Sequence, residues 1–165
     1  MSEESPMTRQ NWWKLAVPLF VVVLVGAWSL RVSAHCEIPC GIYDDDARIK
    51  LLNEHVTTIE KSMKEIEKLS AESPLNQNQI VRWVMNKEDH ANQFQEIVAQ
   101  YFMTQRVKPL TPDDDAATKQ KYVKQLTLLH EMLVYAMKSK QTVDTANTDK
   151  LRELVHDFSH VYSGT

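Results

Sequence analysis

Four amphipathic stretches joined by short polar turns predict an all-α chain, an antiparallel four-helix bundle, which a short cysteine-containing N-terminal segment precedes. Within each stretch, apolar residues recur at alternating spacings of three and four, the period of one face of an α-helix. Only three glycines occur in 165 residues. No segment alternates apolar and polar side chains long enough to make a convincing strand.

Residues 1–34 read as a leader. Arg9 and Lys14 precede the apolar run from Leu15 to Leu30, and Arg31 leads into Val32-Ser33-Ala34, a small-residue cleavage site. These are the three parts of an export signal. As a helix the run spans about 24 Å, short of the roughly 30 Å of a hydrocarbon core. The mature protein is therefore expected outside the cytoplasm, periplasmic or extracellular, once a leader-processing protease has acted. The alternative is a membrane anchor retained through residues 15–30, and no other membrane association is expected.

Removing the leader leaves 131 residues, enough for one domain with a real core and not for two. The chain has 19 basic and 22 acidic side chains, and the leader holds Arg9, Lys14 and Arg31 against Glu3 and Glu4. The remainder thus carries 16 against 20, a net charge of about −4, which is no footprint for nucleic acid. There is no internal repeat, low-complexity segment, Gly-rich phosphate loop or Ser/His/Asp nucleophile pattern.

Residues 35–43, His35-Cys36-Glu37-Ile38-Pro39-Cys40-Gly41-Ile42-Tyr43, are the densest chemistry in the chain. Cleavage after Ala34 makes His35 the amino terminus. Its free amine, the deprotonated backbone nitrogen of Cys36 and the Cys36 sulfur form two fused five-membered chelate rings, and Cys40 can return as the fourth donor. The His35 imidazole can close from above as a fifth, axial ligand. Two nitrogens and two thiolates near one plane suit Ni(II) or Cu(II), whereas zinc prefers a tetrahedron. The plainer reading, open to any exported chain, is a Cys36–Cys40 disulfide.

The segment resembles the amino-terminal nickel hook of nickel superoxide dismutases, which begins His-Cys-x-x-Pro-Cys-Gly-x-Tyr after processing. The resemblance implies one nickel ion per protomer with His35, Cys36 and Cys40 as ligands. Pro39 then turns the hook, through a cis peptide, and Tyr43 stands at the substrate pocket as a catalytic group beside His35. The Glu37 backbone amide can donate from the hook, and Tyr101, in a helix-borne Tyr101-Phe102 pair, supports the pocket. It further implies conversion of two superoxide anions and two protons to O2 and H2O2 by Ni(II)/Ni(III) cycling, and a homohexamer. Copper outranks nickel at most nitrogen and sulfur sites, so a nickel-delivery factor is also expected.

The family pattern includes a carboxylate that holds the axial imidazole and is itself held by an arginine. Here the position expected for that carboxylate, after Ala47-Arg48-Ile49, holds Lys50, and no arginine stands at the matching depth of the second helix. Arg48, Glu54, Lys87 and Glu88 are the remaining candidates. Two alternatives use the same residues differently: a non-enzymatic exported or membrane-anchored helical module with a Cys36–Cys40 disulfide, and sequestration of copper or nickel without turnover.

Residues 44–165 supply the bundle, one domain with the hook. Asp44 caps the first helix, and Asp45 and Asp46 favour the positive end of its dipole; Ile49, Leu52, Val56, Ile59, Met63 and Ile66 make its stripe up to the turn at Ser73-Pro74. The second has Ile80, Trp83, Val84, Ala91, Phe94, Ile97, Val98 and Tyr101, interrupted by Lys87 and His90, and ends before Pro109. Thr111-Pro112-Asp113-Asp114 reads as the start of the third, with proline in the first turn. Tyr122, Leu126, Leu129, Leu133 and Ala136 form its stripe. After a turn over 141–148, Leu151, Leu154, Val155, Phe158 and Val161 mark the fourth. Met63, Met85, Met103, Met132 and Met137 read as core filler. His156 and His160, four apart, can clamp a metal on a helix face, though two surface histidines satisfy the same spacing.

Overall fold

The computed structural model describes Val17 and residues 41–164, and the chain divides into two units, Met1–Tyr43 and Asp44–Thr165. The second unit contains four helices: α1 (Asp45–Ser70), α2 (Gln77–Glu96, prolonged by a π-helical segment Ile97–Arg106), α3 (Ala116–Gln141) and α4 (Ala146–Ser163). α1 packs most extensively on α2 and α3 on α4, while α2–α3 and α1–α4 contacts close the ring. Side-chain bonds fix the directions. Asp45 at the start of α1 meets Arg106 at the end of the π segment and Tyr162 at the end of α4, and Lys121 near the start of α3 reaches the Tyr162 carbonyl. Successive helices therefore run antiparallel. No helix among the described residues is long and apolar enough to cross a membrane.

The start of α1 is as predicted, because the Asp44 carboxylate accepts the Ala47 amide at 2.9 Å and satisfies an N–H the helix cannot. The third helix starts later than its sequence signal. Pro112 sits in a turn closed by the Asp114 N–H on the Thr111 carbonyl, and Asp115 is the cap, accepting from Thr118 at 2.7 Å. The cap therefore lies four residues beyond Thr111, with which the predicted start began. α2 is capped by Asn76, and the Ser73–Pro74 peptide in the turn before it is cis.

The core centres on Leu52, Val56, Phe94, Val98, Phe102, Leu129, Met132, Leu154, Val155 and Phe158. Phe102 meets Tyr101, Phe158 and Tyr162 edge-on at 5.0, 5.0 and 5.6 Å, each such pair contributing about 0.5–1.5 kcal/mol beyond its buried area. In α3 the buried line runs through Gln125, Leu128, Leu129, Met132, Ala136 and Ser139. The predicted Leu126 and Leu133 lie half-buried on its flank. Val84, Met85 and Met137 are exposed rather than core; Met63 and Met132 are fully buried.

One buried cation closes the end of the bundle where α3 stops. Lys87, whose side chain is 5% exposed, donates from Nζ to the carbonyls of Ser139 at 2.8 Å, Lys140, and Thr142 at 3.3 Å. These are among the carbonyls a helix C-terminus leaves unpaired, and the charge suits the negative end of the dipole. Lys87 thus interrupts the α2 stripe in order to cap α3. With Glu88 at 3.4 Å, it belongs to this end rather than to any support for a metal ligand.

Candidate metal centre and the cluster at the start of the bundle

His35, Cys36, Glu37, Pro39 and Cys40 lie outside the described residues, so the donor set is judged by its chemistry. Thiolates, an amine, an amidate and an imidazole are ligands for nickel or copper, and three residues within six positions supply them all. Among the described residues, no group of three or more His, Cys, Asp or Glu is arranged to hold a metal ion. Gly41 has φ of +79°, the left-handed region that glycine enters without strain, which accounts for that residue between Cys40 and Ile42. Tyr43 is 37% exposed and immediately precedes the Asp44 cap.

Where the chain passes from this segment into α1, the first helical residue is held by three other side chains. The Asp45 carboxylate accepts from Arg106 through Nε at 2.8 Å and Nη2 at 2.7 Å, from the Tyr101 hydroxyl at 2.7 Å and from the Tyr162 hydroxyl at 2.8 Å. The Arg106 bond, ahead of the two phenols, holds the Asp45 carboxyl below its usual range, against the opposing effect of burial. Burial, then the hydrogen bond to Asp45, pushes the Tyr101 and Tyr162 hydroxyls up to about 12. Arg106 is raised by its bond to Asp45. The Arg48 guanidinium lies 5.1 Å from the centre of the Tyr101 ring, within cation–π range.

The π-helical segment makes this grouping possible. The Val107 N–H bonds to the Phe102 carbonyl at 2.8 Å, five residues back rather than four, and the Thr104 and Gln105 side chains bond five back to Ala99 and Gln100. In an α-helix, residues five apart diverge by about 140°. In the π segment Tyr101 and Arg106 reach the same carboxylate. Such segments recur at functional sites.

Tyr101 was predicted from sequence as a support residue, and the structure places it 4% exposed with its hydroxyl on Asp45. Asp45, Arg106 and Tyr162 were missed. The first residue of α1 and the last residue of the π segment thus form a carboxylate–arginine pair. Lys50 and Asp46 lie beside Asp45 along a cleft of about 490 Å³ shared with Ser159, Tyr162 and Ser163.

A second histidine pair bridges α1 and α2, where Nδ1 of His55 and Nδ1 of His90 are 2.8 Å apart. His55 is 4% exposed, and burial, then His90, lowers its pKa below the usual 6.5. His90, which interrupts the α2 stripe, is accounted for by this bond.

Residues 30–165 match the family model of nickel-containing superoxide dismutase, and the chain belongs to that family. It is therefore a superoxide dismutase, an oxidoreductase whose cofactor is nickel. No curated protein and no solved structure matches the chain.

Proposed function

We propose that this chain disproportionates superoxide at residues 35–43 after cleavage behind Ala34, as an exported homohexamer with one nickel ion per protomer. The observation that carries the proposal is the donor set of His35, Cys36 and Cys40 in a chain whose family match starts at residue 30. The apolar run lies almost wholly ahead of that match, in keeping with its removal. Two superoxide anions and two protons give one O2 and one H2O2.

Nickel held by His35, Cys36 and Cys40 would supply the one-electron couple that disproportionation of superoxide requires. The chain's residues set the conditions for that exchange. Cys36 and Cys40, with the Cys36 amidate, donate charge strongly and so favour the oxidised metal. The His35 amine and imidazole would be further donors to the ion. The Tyr43 hydroxyl orients superoxide or water by hydrogen bonding, and the Glu37 N–H is a second donor. Pro39 turns the backbone between the two cysteines, and Gly41 lets it turn again after Cys40. In the homohexamer that the family resemblance implies, neighbouring protomers would complete the surroundings of the hook. A nickel-delivery factor and a leader protease act before turnover begins.

A native intact-mass spectrum of protein from its own host tests this directly. The expected species is a hexamer of protomers beginning at His35, each carrying one nickel ion, with dismutase activity that Cys36→Ser abolishes. A metal-free chain retaining residues 1–34, or one lighter by two protons through a Cys36–Cys40 disulfide, would overturn the proposal in favour of a helical module without turnover.

A further inference from the structure

We propose that His156 and His160 on α4 form a second metal site, with ligands other than His35, Cys36 and Cys40, that takes a divalent transition cation of the imidazole-binding class. The two Nε2 atoms are 3.1 Å apart, with ring centres 4.4 Å apart and the rings inclined at 62°. Donors at about 2.0–2.1 Å from one ion lie about 2.9 Å apart at a right angle and about 3.3 Å apart in a tetrahedron. The observed separation falls between these values, so an ion can enter with little movement of either ring. Both rings are exposed, and spacing four apart on a helix is the arrangement by which two histidines share a metal.

A further contact favours a metal over a mere surface pair. Asp157 Oδ1 lies 3.4 Å from Nδ1 of His156. A carboxylate there keeps the hydrogen on Nδ1 and leaves the Nε2 lone pair directed at the site, the carboxylate–histidine–metal relation that orients such ligands. Without metal, that lone pair accepts from His160 Nε2–H. On binding, the ion replaces this hydrogen, which moves to Nδ1 of His160, so both rings stay neutral and both Nε2 atoms coordinate. Among the described residues no group of three or more His, Cys, Asp or Glu is arranged to hold a metal, so the two imidazoles are the donors assigned here. Imidazole ligands suit copper, nickel and zinc, with copper(II) held most tightly.

The test is equilibrium dialysis of the processed, nickel-loaded protein against copper(II) at neutral pH, beside the His156→Ala/His160→Ala variant. Both proteins share the same hook, so any copper exchanged into it cancels in the difference. The wild type is expected to hold one more copper ion per protomer, with nitrogen splitting from two imidazoles in its electron spin resonance spectrum. Asp157→Asn should weaken that uptake about 10–100-fold. Matching helical circular dichroism and melting would show that the exposed substitutions leave the fold intact. Equal copper uptake by the two proteins overturns the site, whatever the hook binds.

Discussion

The two ends of the bundle are closed by charges of opposite sign, each matched to the helix end it serves. Where the hook segment joins, Asp45 in the first turn of α1 gathers Arg106, Tyr101 and Tyr162 from the π segment and α4. At the other end, Lys87 fills the carbonyls that α3 leaves open, because Thr142 is extended and α3 has no capping glycine. The anion meets side chains and the cation meets backbone. They also differ in access to water, since the Asp45 and Arg106 side chains are each 25% exposed and that of Lys87 only 5%. Water can take over from a lost partner at the first end but hardly at the second.

That difference ranks the substitutions. Lys87→Met keeps the buried stem and removes the charge, leaving the buried Ser139 carbonyl without its donor; the expected loss is about 3 kcal/mol. Urea unfolding should show it as a lower midpoint with an unchanged slope. Asp45→Ala removes charge-assisted bonds, but Arg106 and Tyr162 regain water, so about 2 kcal/mol is expected. A larger loss at Asp45 than at Lys87 would reverse the ranking and show that aromatic packing around Tyr101, more than exposure, sets the cost. Neither change alters the hook's own donors.

Most of the bundle was legible in the sequence because it is a local pattern, and the donor spacing proposed for the hook is local too. Asp44 and its dependent Ala47 N–H are three residues apart, and the stripe from Leu52 to Ile66 needs only a helical period. The Asp45 cluster is not local, since Arg106 and Tyr162 lie 61 and 117 residues away. Asp45 looked like an ordinary first-turn acid. Arg106 was hidden further by the π segment, because a period of 3.6 puts it on a different face from Tyr101. A basic residue five after a buried tyrosine was the available signal, though a faint one. Val84 and Met85 misled in the other direction, as apolar residues at the right period on a face the neighbouring helices leave open.

The smallest effect concerns pH and separates the Asp45 cluster from an ordinary surface ion pair. Asp45 has a lowered folded-state pKa, so its contribution is present above the ordinary carboxylate value of 3.8 and is lost as pH falls through the lower folded value. The two tyrosines are raised to about 12 from 10.0, so their contribution is complete below pH 10 and disappears as pH rises through about 12. A surface pair has the first limit and lacks the second. Absorbance at the phenolate band should therefore show two of the five tyrosines ionising late, near pH 12, as the cluster opens. Tyr101→Phe and Tyr162→Phe should each delete one of those late steps. Two late steps surviving in both variants would place the perturbed phenols elsewhere, and ionisation of both near pH 10 would mean that water, not the buried carboxylate, dominates their surroundings.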